Sequence, residues 1–119
     1  MPATVTIYHN PKCGTSRKTL ELIRSKGLEP EIVEYLKTGW TKPQLEDLLK
    51  KMKAGPRDIL RAKEPLAEEL GLRDPKASDA AILKAMIAHP VLVERPIVVT
   101  AKGAALGRPP EAILPLLKG

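Results

Sequence analysis

Residues 4–35 run TVTIYHNPKCGTSRKTLELIRSKGLEPEIVEY. Three elements follow one another in this stretch. Residues 4–8 (TVTIY) are rich in β-branched side chains and are bounded by Asn10-Pro11, the pattern of a strand. Residues 15–26 form a helix, with Thr15 or Ser16 to cap it, Leu20 and Ile23 on an apolar face, and Gly27 to stop it. Residues 31–35 (EIVEY) make a second short strand. Strand, helix and strand in so little chain predict a βαβ unit with a right-handed crossover and parallel strands.

Between the first strand and the helix lies His9-Asn10-Pro11-Lys12-Cys13-Gly14-Thr15-Ser16-Arg17. An open α/β sheet places its site where strand ends and helix starts converge. A cysteine at a helix start faces unpaired backbone N–H groups and the positive end of the helix dipole, and both favour thiolate over thiol. Gly14 lets backbone come close, Thr15 and Ser16 offer hydroxyls, and Lys12 and Arg17 add positive charge. A free thiol with pKa near 8.5 is only about 3% ionised at pH 7. Lowering that pKa by about two units makes it roughly three-quarters ionised, for about 2.7 kcal/mol of differential stabilisation. A lone cysteine is ordinarily a small buried hydrophobe. The polar and cationic neighbours here favour a reactive thiol instead. His9, four residues earlier, reads either as an imidazolium that helps hold the thiolate or as a strand-end residue satisfying local backbone.

The middle of the chain is helical. Thr41 and Gln44 match a capping box. Leu45, Leu48, Leu49 and Met52 then recur at i, i+3, i+4, i+7. Short helices are expected around 57–61 and 64–70. Ser78 caps a longer one that runs to His89, with Ile82, Leu83, Met86 and Ile87 inward and Pro90 ending it. Residues 97–100 (IVVT) form a strand, 101–103 a hairpin turn, and 104–106 an antiparallel return. Pro109-Pro110 opens a last helix at about 111–117, late in which lies Pro115. The order is β-α-β, a helical insertion at about 41–89, then β-β-α. The expectation is a single α/β domain over residues 1–119 with a mixed four-stranded sheet.

Composition narrows the function. The chain has 119 residues, Lys plus Arg total 20 and Asp plus Glu total 14, for a net charge of +6. Anions are the natural partners of such a surface. Aromatic residues are only 3% with no Phe, too few for the stacking platforms of single-strand binders, so nucleic acid is not expected. Twelve prolines do not signal disorder, because apolar residues are spread along the chain. No apolar run approaches the roughly 18 residues of a membrane span, and the N-terminus does not look like a secretory signal. Cys13 is the only cysteine, so an internal disulfide is impossible and a reducing cytoplasm is the expected setting. Any redox chemistry at Cys13 must take its second thiol from another molecule. One Cys and two distant His make no metal cluster, so no metal is expected.

These residues carry a resemblance. The segment 9–17 (HNPKCGTSR) resembles the signature of the glutathione- and glutaredoxin-coupled arsenate reductases, a branch of the thioredoxin-like superfamily. The likeness continues at Arg61, at 89–100 (HPVLVERPIVVT) and at 106–109 (LGRP), and spans about residues 4–117. It implies a thioredoxin-like fold with an inserted helical region. It implies that Cys13 attacks arsenic, that Arg61, Arg95 and Arg108 bind the anion, and that the peptide before Pro96 is cis. It also implies glutathione as co-substrate, glutaredoxin as partner and no bound cofactor. Guanidinium forks suit a tetrahedral oxyanion two oxygens at a time. Arg24, Arg57 and Arg73 read as surface charge, and His89 as structural.

Other readings fit less well. A dithiol exchanger needs a second cysteine three positions on, where Ser16 stands, so only monothiol chemistry on another substrate remains. A regulator on the same fold would bind RNA polymerase, but such relatives typically carry a paired cysteine. A cysteine phosphatase needs an arginine six after its cysteine, and that residue is Thr19. The sequence departs from the arsenate reductases in three respects. Many of them continue past the position where this sequence ends, Lys12 fills a variable position, and Gly107 replaces a side chain often seen before the last arginine.

Overall fold

The computed structural model describes residues 5–117. The chain divides into two compact units, one made of residues up to Thr38 and from Arg95 onward, the other of Gly39–Glu94. The helical insertion expected at 41–89 falls inside the second.

The first unit holds the sheet. Strand β1 is Thr6–Tyr8, β2 Glu31–Val33, β3 Ile97–Thr100 and β4 Gly103–Leu106, in the order β2-β1-β3-β4. β1 pairs parallel with β2, Ile7 opposite Ile32, and antiparallel with β3, Ile7 opposite Val98. β3 and β4 form the antiparallel hairpin. The sheet is the mixed four-stranded one expected from the β-α-β and β-β-α order. Period-two alternation turns Val5 and Ile7 to one face, where they meet Val98, Ile23 from helix α1 (Gly14–Ser25) and Ile113. All five are nearly or wholly removed from water, so this is the core of the unit.

Three boundaries differ from expectation, and a fourth is not described. Thr4 lies outside the described residues. α1 begins at Gly14, and its N-cap is Cys13, not Thr15 or Ser16. β2 stops at Val33, because Tyr35 is fully buried and opens the short helix α2 (Tyr35–Thr38). The last helix is a 3-10 turn at Pro110–Ile113 followed by α6 (Leu114–Leu117), the form left when prolines remove backbone donors. Gly27 ends α1 as expected, with φ +78 and its N–H on the Arg24 carbonyl.

The second unit is built on α3 (Lys42–Met52), α4 (Pro65–Glu69) and α5 (Asp79–Ala88). Thr41 caps α3 with the full reciprocal box: its Oγ1 accepts from Gln44 N, and its N donates to Gln44 Oε1. Ser78 caps α5 through Ala81 N. Leu45, Leu48 and Leu49 are buried as their spacing requires, as are Ile82, Leu83 and Met86. A lone antiparallel bridge joins Leu60 to Val93. Among the described residues no helix is long and apolar enough to cross a membrane.

Candidate active site

Cys13 ends the turn after β1 and starts α1. Its N–H donates to the Asn10 carbonyl at 3.0 Å, and its own carbonyl accepts from Arg17 N at 3.0 Å, the first turn of the helix. Asn10 Oδ1 accepts from Lys12 N at 3.0 Å, so the asparagine shapes the turn. The sulfur is half-buried and free of any disulfide.

Partial burial pushes the Cys13 thiol up. The Ser16 N–H, the Arg95 guanidinium and the Thr15 N–H push it down, and together they prevail, so the thiol lies below its ordinary value. The helix start therefore favours the thiolate by direct donors as well as by its dipole. Arg108 adds a long contact, Nη1 to Sγ at 3.9 Å, and the same nitrogen donates to the Arg95 carbonyl at 3.1 Å.

Arg95 is the unusual member. Its Nε and Nη1 are buried and have no hydrogen-bond partner among the described residues. Buried guanidinium N–H groups without partners are costly, and an anion is what satisfies them. Arg95 and Arg108 both stand immediately before a proline, and both Arg95–Pro96 and Arg108–Pro109 are cis. The first cis bond was implied by the family resemblance; the second was not.

Ser16 and His9 meet each other, a contact that neither sequence reading named. Ser16 is wholly buried and does not cap the helix with its side chain. Its Oγ accepts from Asn10 N at 3.1 Å and lies 2.6 Å from His9 Nδ1. That hydroxyl thus bridges the Asn10 backbone and the imidazole ring. Burial pushes the His9 pKa down, Glu34 opposes, and Arg17 and Arg24 add to the lowering. That lowering favours a neutral imidazole over an imidazolium. Arg17 donates to the Pro11 carbonyl at 2.9 Å, bracing the turn. At Gly14 an added Cβ would meet Arg17 Nη2 at 3.8 Å, an ordinary contact, so among the described residues nothing crowds that position.

Arg61 belongs to the second unit. Its N–H donates to the Leu92 carbonyl at 2.7 Å, and Nη1 binds Glu94 at 3.0 Å. Its Nε lies 3.4 Å from Glu64, close enough for charge pairing but not aligned as a hydrogen bond. The Glu64 partner, three residues on, was readable from spacing; Glu94 was not. Arg57, taken as surface charge, clamps a loop by donating to the carbonyls of Leu72, Asp74 and Ala77. His89 ends α5, its N–H on the Ala85 carbonyl. Among the described residues no group of three or more His, Cys, Asp or Glu could hold a metal.

The arrangement in the first unit suits nucleophilic attack on an oxyanion: a thiolate held by N–H donors, beside two arginines, one with N–H groups unsatisfied. The chain as a whole is similar to known proteins. The model of the ArsC family matches residues 8–116. The arsenate reductase ArsI2 of Synechocystis sp. is 50% identical over 95% of this chain and 81% of its own length. The arsenate reductase of Escherichia coli strain K12 is 47% identical over 97% of this chain and 82% of its own. A solved arsenate reductase from Vibrio cholerae superposes with a TM-score of 0.94 at 43% identity, over 98% of this chain and all of that one. The fold is thus the thioredoxin-like fold of those structures.

Proposed function

We propose that this chain, which belongs to the ArsC family, is an arsenate reductase that works through a single cysteine thiolate and external thiols. The observation that carries this reading is the pair of buried, unpartnered N–H groups on Arg95 beside a thiol held below its ordinary pKa.

Arsenate enters as the ligand of Arg95 and Arg108. Each charge-assisted contact contributes about 1.5–3 kcal/mol and offsets the repulsion between thiolate and oxyanion. The Cys13 sulfur attacks As(V), forming an S–As bond. An As–O bond breaks, and the oxygen leaves as water once protonated. The two electrons that take As(V) to As(III) come from two sulfurs, and this chain has only one. Glutathione attacks the arsenic–cysteine adduct, forming a second As–S bond as another As–O bond breaks and its oxygen leaves as water. A glutaredoxin thiol then attacks the glutathione sulfur, that As–S bond breaks and leaves its electron pair on arsenic as As(III), and the two external sulfurs end as a disulfide. Water cleaves the remaining S–As bond, which releases arsenite and returns the Cys13 thiol. A compartment that keeps thiols reduced, the cytoplasm, is the setting this needs. Arg61, the third arginine of the family pattern, belongs to this proposal through its own substitution: Arg61→Ala raises the arsenate concentration needed for half-maximal rate.

Arsenate turnover with glutathione and glutaredoxin tests the reading. Wild type turns over and stops without either thiol source, and Cys13→Ser abolishes the activity. Turnover that persists in Cys13→Ser refutes the assigned nucleophile.

A further inference from the structure

We propose that Thr19 is a positioning residue for the Arg108 segment: its buried hydroxyl ties the first turn of α1 to the peptide that precedes Arg108. This rests on the oxyanion reading above and adds to it a residue that does not touch the substrate.

Thr19 is wholly buried within α1. A threonine inside a helix commonly bonds back to the carbonyl four residues earlier, and Thr19 Oγ1 does so to Thr15 at 2.9 Å. The second acceptor is not local. The same Oγ1 lies 3.2 Å from the Gly107 carbonyl, 88 positions along the chain. One hydroxyl proton is shared between the helix that starts at Cys13 and the segment that ends in Arg108.

The tie continues beyond Gly107. Gly107 N donates to the Pro96 carbonyl at 2.8 Å, so both polar groups of that residue are engaged. Arg95 precedes Pro96, and Arg108 follows Gly107. A ladder therefore runs Thr15, Thr19, Gly107, Pro96, with one arginine attached at each of its last two rungs. The contact is close. A Cβ on Gly107 would lie 2.9 Å from Pro96 Cγ, 2.9 Å from Thr19 Oγ1 and 3.0 Å from Thr19 Cγ2. The glycine backbone packs directly on the threonine.

A guanidinium on a long side chain is placed first by its backbone, and small misplacements in a binding constellation cost affinity. Without the hydroxyl, the Gly107 carbonyl loses its buried donor and the Arg108 segment loses its tie to α1. The groups that lower the thiol are the Ser16 and Thr15 N–H groups and Arg95, not the Thr19 side chain. Loss of the hydroxyl frees the Gly107 carbonyl and with it the Arg108 segment, while the Ser16 and Thr15 N–H groups and Arg95 keep their own backbone supports, so anion capture weakens and thiol acidity is kept. A general loosening of α1 would move both together.

Iodoacetamide alkylation of Cys13 in the full chain reads both quantities. Its pH dependence gives thiol acidity, and the arsenate concentration that halves its rate gives anion capture. Thr19→Val is expected to raise the half-protecting arsenate concentration about tenfold, the loss of one ordinary hydrogen bond. The pH midpoint should stay within about 0.3 unit of wild type. Thr19→Ser, which keeps the hydroxyl, should restore wild-type protection, and Thr19→Ala replaces Thr19→Val in the comparison should the valine variant not fold. The proposal is overturned if the valine variant is protected like wild type, if protection and pH midpoint shift together, or if serine protects as poorly as valine. In the first case, with wild type protected, the oxyanion reading survives without Thr19. Wild type left unprotected by arsenate would remove both.

Discussion

Replacing Ser16 with alanine isolates the polar network beneath the cysteine turn. The hydroxyl has two partners, Asn10 N at 3.1 Å and His9 Nδ1 at 2.6 Å. Ser16 is fully buried, and His9 and Asn10 are only 5% and 6% exposed, so water does not replace the lost oxygen. Two buried polar groups are left without partners, at about 1–3 kcal/mol each. The expected loss is about 2–6 kcal/mol, a large share of the roughly 5–15 kcal/mol that stabilises a domain. At about 4 °C per kcal/mol for a chain of this size, Tm should fall by roughly 8–24 °C. The Ser16 N–H that faces the sulfur survives in alanine, so the folded variant should keep a readily alkylated Cys13. Urea unfolding of Ser16→Ala, His9→Ala and the double variant measures the network, and the two single losses should sum to more than the double loss because one bond is counted twice. A loss under about 1 kcal/mol for Ser16→Ala would mean that the orphaned groups find other partners, and the burial reasoning fails.

Acid should destabilise the protein through His9. Its folded pKa is depressed, so the unfolded chain binds the proton more readily, and stability is full above the unfolded value of about 6.5 and falls as pH drops toward the folded one. Urea midpoints between pH 8 and 5 should show this fall, and His9→Gln should flatten it. Arg95→Ala should weaken arsenate capture about tenfold to a hundredfold and shift Cys13 alkylation toward higher pH, because it removes an anion ligand and a thiolate donor together. Unchanged half-saturation in arsenate would count against that role. Arg57→Ala should cost about 1–2 kcal/mol and speed amide exchange within 72–77, where three carbonyls lose their donor.

The elements that were legible in the sequence are those fixed by local chemistry. Residues 97–100 read as a strand because β-branched side chains leave little alternative, and β3 occupies those positions. Thr41 and Gln44 announced their capping box because its two bonds span only three residues. Cys13 stood out by its polar neighbours, and the structure gives it N–H donors from its own helix turn. The readings that failed depended on distant chain. Ser16 has the chemistry of a helix cap, but a buried histidine seven residues earlier claims its hydroxyl. Nothing in the local pattern separates those two uses of a serine. Tyr35 continues an apolar alternation, yet its burial turns the backbone into α2. Thr19 looked like an ordinary helix residue, since its second acceptor lies 88 positions away. Arg57 carried no motif because backbone carbonyls are its partners, and every sequence has those.

A crystal structure grown with arsenate or sulfate speaks most plainly to the claim that Cys13 and Arg95 form an oxyanion site. A tetrahedral anion should sit with its oxygens on Arg95 Nε and Nη1 and on Arg108, its centre facing Cys13 Sγ. Crystals saturated with the anion that leave those two nitrogens bare, or that seat it away from the sulfur, would contradict the account.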